Sequence, residues 1–269
     1  MHYNSPLGDF MKPDGKRKIA WVTGASTGIG ASTALALAQD GWDVVMTARS
    51  KDKLEQMAKL SGEFKGRLIP LQGDVTHKDG MKTAVETIEK NYGPVDLAIL
   101  NAGVYIPEEL WTFKSEDFIS QVQLNLFGTV FCIEALLPSF IKRHSGHIAI
   151  VASVAGYRGL PRSLGYGSSK AALIHLSEAL AIMGKRYGIK VQVINPGFVK
   201  TPLTDKNDFP MPFLIDSGVA AQRIVDGLKS NKFEITFPTR FAYLLKAIGL
   251  LPDRWYFAIA RRAMREGKN

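Results

Sequence analysis

Tyr166 and Lys170 stand four residues apart in YGSSK, at the head of the stretch AALIHLSEAL. That continuation reads as a helix, so one turn sets the phenol and the ammonium on the same face. A free tyrosine, with a pKa of about 10, is a poor acid or base at neutral pH. Thirteen residues upstream, Ser153 closes the apolar run HIAIVAS. Near the start of the chain TGASTGIG places glycines at 24, 28 and 30. Glycine permits a tight turn and lets a phosphate approach the backbone, and a helix beginning there adds free N–H groups and the positive end of its dipole. Taken singly, these are an ordinary helix surface, a packed hydroxyl and a glycine-rich turn. Their meaning depends on the elements that carry them.

Those elements alternate. The strand candidates are IAWVTG, DVVMTA, RLIPLQGD, VDLAILNAG, HIAIVAS and IKVQVINPG, with KFEITFP as a seventh. Helical stretches separate them, including ASTALALAQDG, KDGMKTAVETIEKNYG, the long SQVQLNLFGTVFCIEALLPSFIK and VAAQRIVDGLKS. Strands apolar on both faces and spaced by helices predict a parallel sheet covered on both sides. The expected fold is α/β: a doubly wound, Rossmann-like, seven-stranded parallel sheet, plus a C-terminal helical tail. Right-handed crossovers then line up the strand C-termini along one edge, where ligands bind. The expected organisation is a loose arm over 1–17, a single domain over 18–237 and a basic amphipathic tail over 238–269.

In this frame the glycine loop falls between the first strand and the first helix, the context that dinucleotide binding requires. The end of the second strand separates NAD from NADP, an acid serving the ribose hydroxyls and a base the 2′-phosphate. Here it reads Ala48-Arg49-Ser50, while Asp43 and Asp52 are poorly placed. Arg49 can fork onto a phosphate with Ser50 and Lys51 beside it, so NADP(H) is preferred and NAD(H) is the alternative.

TGASTGIG, Asn101-Ala102-Gly103, Ser153, YGSSK and PGFVKT, in that order and spacing, resemble the short-chain dehydrogenase/reductase family over about Lys18 to Phe237. The resemblance implies a catalytic set of Asn125, Ser153, Tyr166 and Lys170. Tyr166 would be the acid in carbonyl reduction and the base in alcohol oxidation, its pKa lowered by the Lys170 ammonium and an oxidised nicotinamide. Ser153 would hydrogen-bond the substrate oxygen. Asn125 would bend its helix and hold a water relaying protons to Lys170. The cofactor would rest on Gly24, Ser26, Thr27, Gly28, Ile29 and Gly30. Asp74 and Val75 would meet the adenine edge and Asn101, Ala102 and Gly103 the adenosine ribose. Pro196, Gly197 and Val199 would flank the nicotinamide, Thr201 would bond its carboxamide or the pyrophosphate, and Tyr166 and Lys170 would also hold the cofactor. Thr27 departs from the pattern, since many NADP-using members carry Lys or Arg there.

The loops AGYRGLPRSLG, VYIPEEL and 201–216 face the substrate. Phe198, Leu203, Phe209, Met211, Phe213 and Leu214 suggest a greasy cover and a hydrophobic, lipid-like or steroid-like alcohol/carbonyl pair. Arg158 and Arg162 are either solvated or greet an anionic group. A 3-oxoacyl-thioester reductase of fatty-acid metabolism is the alternative among enzymes, and a catalytically silent nucleotide-binding scaffold the alternative outside them.

The net charge is +9, and the last 33 residues carry +5 of it, with seven Lys/Arg against Asp253 and Glu266. Charge concentrated in a tail speaks against a nucleic-acid groove spread over the domain. The tail has a stripe of Phe241, Leu244, Leu245 and Ile248, then Trp255, Tyr256 and Ile259 beyond Pro252. Apolar residues interleaved with arginines suit either peripheral contact with an anionic membrane or packing on the body or a second subunit. A homodimer or homotetramer through the helices around Asn125 and Tyr166 is what the resemblance implies. One cysteine, Cys132, excludes an internal disulfide and suits the cytoplasm. No run of about 18 uninterrupted apolar residues exists, so no spanning helix is expected. His144 and His147 in HSGH have ligand-like spacing but no Cys or acid cluster nearby, so no metal is expected.

Overall fold

The computed structural model describes residues 11, 12, 15–206 and 209–266. Its centre is a seven-stranded parallel sheet built from β1 (Ile19–Thr23), β2 (Asp43–Ala48), β3 (Leu68–Gln72), β4 (Val95–Leu100), β5 (Gly146–Val151), β6 (Ile189–Pro196) and β9 (Glu234–Phe237). The spatial order is β3-β2-β1-β4-β5-β6-β9. The chain moves outward from β1 to β3 and then crosses back to start β4 on the other side of β1. That reversal opens a crevice beyond the C-terminal ends of β1 and β4. The short strands β7 (Val199–Lys200) and β8 (Ile215–Asp216) pair with each other, an element the sequence pattern does not announce.

Alternation along β1 shows how the two faces fill. Ala20 and Val22 pack with α1 (Gly28–Asp40), α2 (Lys51–Ala58) and α7 (Ser217–Lys229), through Leu37, Leu54 and Ile224. Ile19 and Trp21 pack on the other face with α3 (Lys78–Asn91), α5 (Gly128–Arg143) and α6 (Leu164–Gly184), through Ile88, Phe140 and Leu173. Period-two strands thus feed two separate cores, each worth roughly 1.5–3 kcal/mol per large side chain buried. Cys132 lies in the second core, where burial pushes its thiol up and keeps it protonated.

The helix α4 (Ser115–Val122) runs into α5 through a wide π-type turn over Gln123–Phe127. Together they make a continuous helix, Ser115–Arg143, long and apolar enough by length and composition to cross a membrane. Its apolar residues are interrupted by polar ones, so the sequence pattern does not single it out. It carries fully buried Gln121 and Asn125, and it packs against α3 and α6.

Of the expected N-terminal arm, residues 1–10 and 13–14 lie outside the described residues. In the remainder Met11 bridges Arg17 within the arm, and Lys12 pairs with Asp96 on the body at 2.9 Å.

The tail forms α8 (Thr239–Gly249) and α9 (Asp253–Glu266), both seated on the body. Phe241 and Ala242 are buried beside Phe198, and Tyr256 is buried with its hydroxyl on the Gly159 carbonyl at 2.6 Å. Arg158 closes the C-terminal end of α8. Its Nη1 donates to the Gly249 and Leu251 carbonyls at 2.6 and 2.8 Å, its Nη2 pairs with Asp253, and its guanidinium lies 4.0 Å over the Tyr256 ring. A cation at a helix C-terminus satisfies orphan carbonyls and the negative end of the dipole. Glu234 adds a second tie. Burial pushes its carboxyl up, but Lys246, Tyr157 and Asn195 together hold it below the usual range. The expected apolar stripe is corrected in one place: Leu244 faces solvent while Phe241 is buried.

Candidate active site

One cleft of about 1050 Å³ opens at the C-terminal edge of the sheet. Its first end is made largely of backbone. Gly24 and Gly28 take φ of +64° and +59°, which side chains disfavour. Gly30 does not reach the cleft. Its missing side chain makes room instead, because a Cβ there would stand 2.4 Å from Asn101 Nδ2. Asn101 in turn donates to the carbonyls of Thr23 and Gly24, locking the ends of β1 and β4 together. Helix α1 begins at Gly28 with no side-chain cap, so its first N–H groups are left to a ligand. Ser26, Thr27 and Ile29 complete this wall, and Gly28 comes within van der Waals reach of Thr201 across it.

Beyond β2, Arg49 and Ser50 line the cleft. The sequence reading misses one residue here. Lys51 pairs with Glu55 on the outside of α2, and Lys53 is the cation that lines the cleft. Spacing holds the clue, since Lys53 stands about one helical turn after Ser50, the N-cap residue that precedes α2. No acid from β2 competes, because Asp43 is buried against Arg67. Asp74 and Val75 follow β3. Burial raises the Asp74 carboxyl, but the Thr76 amide and hydroxyl, helped by Arg49, bring it below the ordinary carboxylate range.

At the middle of the cleft Ser153, Tyr166 and Lys170 meet Gly103, Pro196, Gly197 and Val199. Ser153 follows β5 in extended backbone, and its Oγ accepts from the Ala155 amide at 3.1 Å. Tyr166 lies in the first turn of α6, with its ring edge-on to Tyr105 at 5.3 Å. Lys170 Nζ donates to the Val151 carbonyl at 2.8 Å and lies 5.5 Å from the centre of the Tyr166 ring. Burial lowers the Lys170 pKa to about 8. Burial also raises that of Tyr166, against an opposing hydrogen bond from Ser153. The expected lowering of the Tyr166 pKa by Lys170 is therefore absent from the protein alone, where desolvation wins.

Asn125 is placed differently from the other three, behind the cleft wall. Its Oδ1 accepts from the Val104 amide at 2.7 Å, and its Nδ2 donates to the Val104 carbonyl and to Ser169 Oγ, each at 3.0 Å. Ser169 Oγ donates to the Tyr166 carbonyl at 2.7 Å, so Asn125 braces the turn that carries the tyrosine. The wide turn over Gln123–Phe127 is the local departure from helix expected there. A Cβ on Gly103 would sit 3.4 Å from Asn125 Oδ1 and 3.6 Å from Lys170 Nζ, ordinary contact distances that put this glycine beside both groups.

A second brace escapes the sequence reading. Glu108, buried in the loop after β4, accepts from the Gly165 amide at 2.7 Å and so caps α6 one residue before Tyr166. An acid there complements the positive end of the helix dipole. The signal was an acidic residue in the mainly apolar IPEEL, but nothing local ties it to Gly165, 57 residues away.

The far end of the cleft is mainly apolar, although the Glu109–Arg162 ion pair also lines the cleft. Phe198, Leu203, Phe209, Phe241 and Leu245 line this end, with Tyr105, Leu160 and four prolines, Pro161, Pro202, Pro210 and Pro212. The expected cover is only partly inward, since Met211 is not in the lining and Phe213 and Leu214 are exposed. Arg162 pairs with Glu109 at 2.9 Å, and Arg158 holds the tail, so neither is simply solvated. Among the described residues no three His, Cys, Asp or Glu side chains gather into a ligand set. His147 is half-buried in β5, and desolvation of its imidazole with nearby Lys190 pushes its pKa down to about 3.

The first end fits a dinucleotide: an uncapped helix start, glycines where a Cβ would collide, and cations beyond. Such a cleft defines a class, the nicotinamide-dependent oxidoreductases of Rossmann type. Within it the chain belongs to the short-chain dehydrogenase/reductase family, whose model, described as short chain dehydrogenase, matches residues 18–210. An uncharacterized oxidoreductase of Myxococcus xanthus is 33% identical over 91% of this chain and 97% of its own length. A 3-oxoacyl-[acyl-carrier-protein] reductase of Thermotoga maritima is 34% identical over 70% of this chain and 77% of its own. Among solved structures, an alcohol dehydrogenase from Thermococcus sibiricus complexed with 5-hydroxy-NADP superposes with a TM-score of 0.74. It is 26% identical, over 82% of this chain and 95% of that one.

Proposed function

We propose that the protein is an NADP(H)-dependent oxidoreductase acting on a hydrophobic alcohol/carbonyl pair. The observation that carries this is the polarity of the cleft, which passes from Arg49 and Lys53, through Ser153, Tyr166 and Lys170, to a wall of phenylalanines, leucines and prolines. Two cations suit a 2′-phosphate, and Lys53 supplies the second charge that Thr27 lacks. The apolar wall suits a substrate without charge near its reacting carbon.

The bound nicotinamide supplies or accepts the hydride. The chain's residues manage the proton. Tyr166, kept protonated by burial, donates its phenolic proton to the substrate oxygen during reduction and takes it back during oxidation. Ser153 Oγ hydrogen-bonds that same oxygen as charge develops on it. Lys170, positive below about pH 8, stabilises the phenolate left behind. Asn125 and Ser169 hold the tyrosine's helical turn in place.

A homodimer or homotetramer fits the large apolar side chains that α4, α5 and α6 leave exposed, among them Ile119, Ile182 and Met183. The free thiol of Cys132 suits work in the cytoplasm.

The test is NADPH oxidation across ketones, aldehydes and acyl thioesters of graded chain length. Expected is turnover that rises with the apolar size of the ketone and favours NADPH over NADH. Turnover confined to acyl thioesters would move the assignment to the second reading, which the Thermotoga maritima relative favours. Silence towards every carbonyl, with nucleotide still bound, would leave a scaffold.

A further inference from the structure

Three segments that line the cleft also turn large apolar side chains outward. Glu109 lines it, and beside it stand Leu110 and Trp111, a residue 72% exposed. Pro212 lines it, and Leu214 and Phe213, whose ring also packs on Phe241, follow with about half their surface exposed. Phe241 and Leu245 line it from α8, while Arg240, Tyr243, Leu244 and Ala247 recur at helical spacing on the opposite, exposed face of that helix. Leu250, 88% exposed, and Trp255, 55% exposed, continue the surface into α9.

One loop joins these surfaces. Arg158 and Gly159 hold the tail, as described above. Arg162 holds the other side, through its ion pair with Glu109 and a carbonyl that accepts from the Glu108 amide and the Tyr105 hydroxyl. Leu160 and Pro161, between them, line the cleft. The outward apolar residues therefore border a single opening. Of the four tryptophans, Trp21 and Trp42 are buried, and the two exposed ones both stand on this rim. Indole concentrates where an apolar phase meets water.

Charge identifies the occupant. Arg240, Arg254, Arg261 and Arg262 are exposed among these apolar side chains. Asp253, the one acid whose side chain is described in the tail, is held by Arg158, and Lys246 is held by Glu234. A second copy of the chain would oppose this face with the same positive charge. An anionic lipid surface meets both its charge and its apolarity.

We propose that the rim of the cleft docks on an anionic bilayer, and that the enzyme takes a lipid-like alcohol or ketone directly from that surface. The proposal rests on the reading of the cleft as an apolar-substrate site.

The experiment is flotation of the full chain with vesicles of mixed phosphatidylglycerol and phosphatidylcholine, and with phosphatidylcholine alone. Expected is flotation with the anionic vesicles and at least tenfold less with the neutral ones. A Leu250→Glu/Trp255→Glu double variant should float tenfold less with anionic vesicles. Its NADPH oxidation with a short, water-soluble ketone should equal the parent's, which shows that it folds. Tryptophan emission of the parent should shift to the blue on anionic vesicles, and that of the variant less. A parent that stays unfloated, or a variant that floats like the parent, overturns the docking. So does equal flotation with neutral vesicles, or a variant that only loses a subunit on sizing. Because the soluble ketone is read separately, a floating protein inactive on every carbonyl breaks the enzyme reading, whereas an active, unfloated one breaks the docking alone.

Discussion

The two ends of the cleft are made of different materials. At the nucleotide end the working parts are largely backbone: positive-φ glycines and an uncapped helix start, held in place by the Asn101 side chain, which joins two strand ends. At the substrate end they are side chains from three separate segments, and the last of these, α8, is attached through Arg158 and Glu234 rather than through the sheet. Backbone holds a constant ligand, since few residue types can take its geometry. Side chains on loops hold a variable one, since many combinations give an equally apolar wall. Tyr166 stands where the two ends meet.

If the ends are separable, Tyr166→Phe removes the proton donor and touches neither. Turnover should fall about 10²–10⁴-fold. Fluorescence titration should find the NADPH dissociation constant unchanged, and a matching loss of binding would break the comparison. Phe241→Ala strikes only the substrate end. It empties a buried ring site, costs about 3–5 kcal/mol of stability and raises KM for an apolar ketone. Thermal melting and kinetics check this, and a parallel rise in KM for NADPH would show that the ends are coupled.

Arg49→Ala strikes only the nucleotide end. Losing charged hydrogen bonds worth about 1.5–3 kcal/mol should weaken NADPH binding roughly 10–100-fold and leave NADH binding nearly unchanged. Lys53→Ala should repeat the pattern more weakly, and equal losses for both nucleotides would remove the 2′-phosphate from the account. The smallest effect lies at the join. Lys170 is cationic below about pH 8 and neutral above it. Carbonyl reduction, which leaves a phenolate beside it, should therefore decline as pH rises through about 8. A rate level up to pH 10 would put the ammonium outside the proton path.

The same contrast explains what the sequence makes legible. The glycine loop, Asn101, Ser153 and the Tyr166–Lys170 spacing are readable because each answers a local demand: a turn, a strand end, a helical face. The parallel seven-stranded sheet is readable from its apolar runs. Lys53 is half-readable, through helical spacing, but attention to the strand end favoured Lys51. Glu108 is unreadable, because its partner Gly165 is 57 residues away and only the folded chain joins them. The tail's composition announces an amphipathic helix, yet which of Leu244 and Phe241 turns inward depends on where Phe198 waits.

The wide turn over Gln123–Phe127 carries a consequence for how this chain can be edited. A π-type turn holds one residue more than the regular helix flanking it needs. Deleting Leu124 should let α4 and α5 close into an unbroken helix with their outer contacts still in register. The product would be folded and able to hold nucleotide, yet Asn125 would swing away from Val104 and Ser169. At this point the molecule should forgive a missing residue as architecture and refuse it as an enzyme, the reverse of a core strand, where one lost residue turns every side chain to the wrong face.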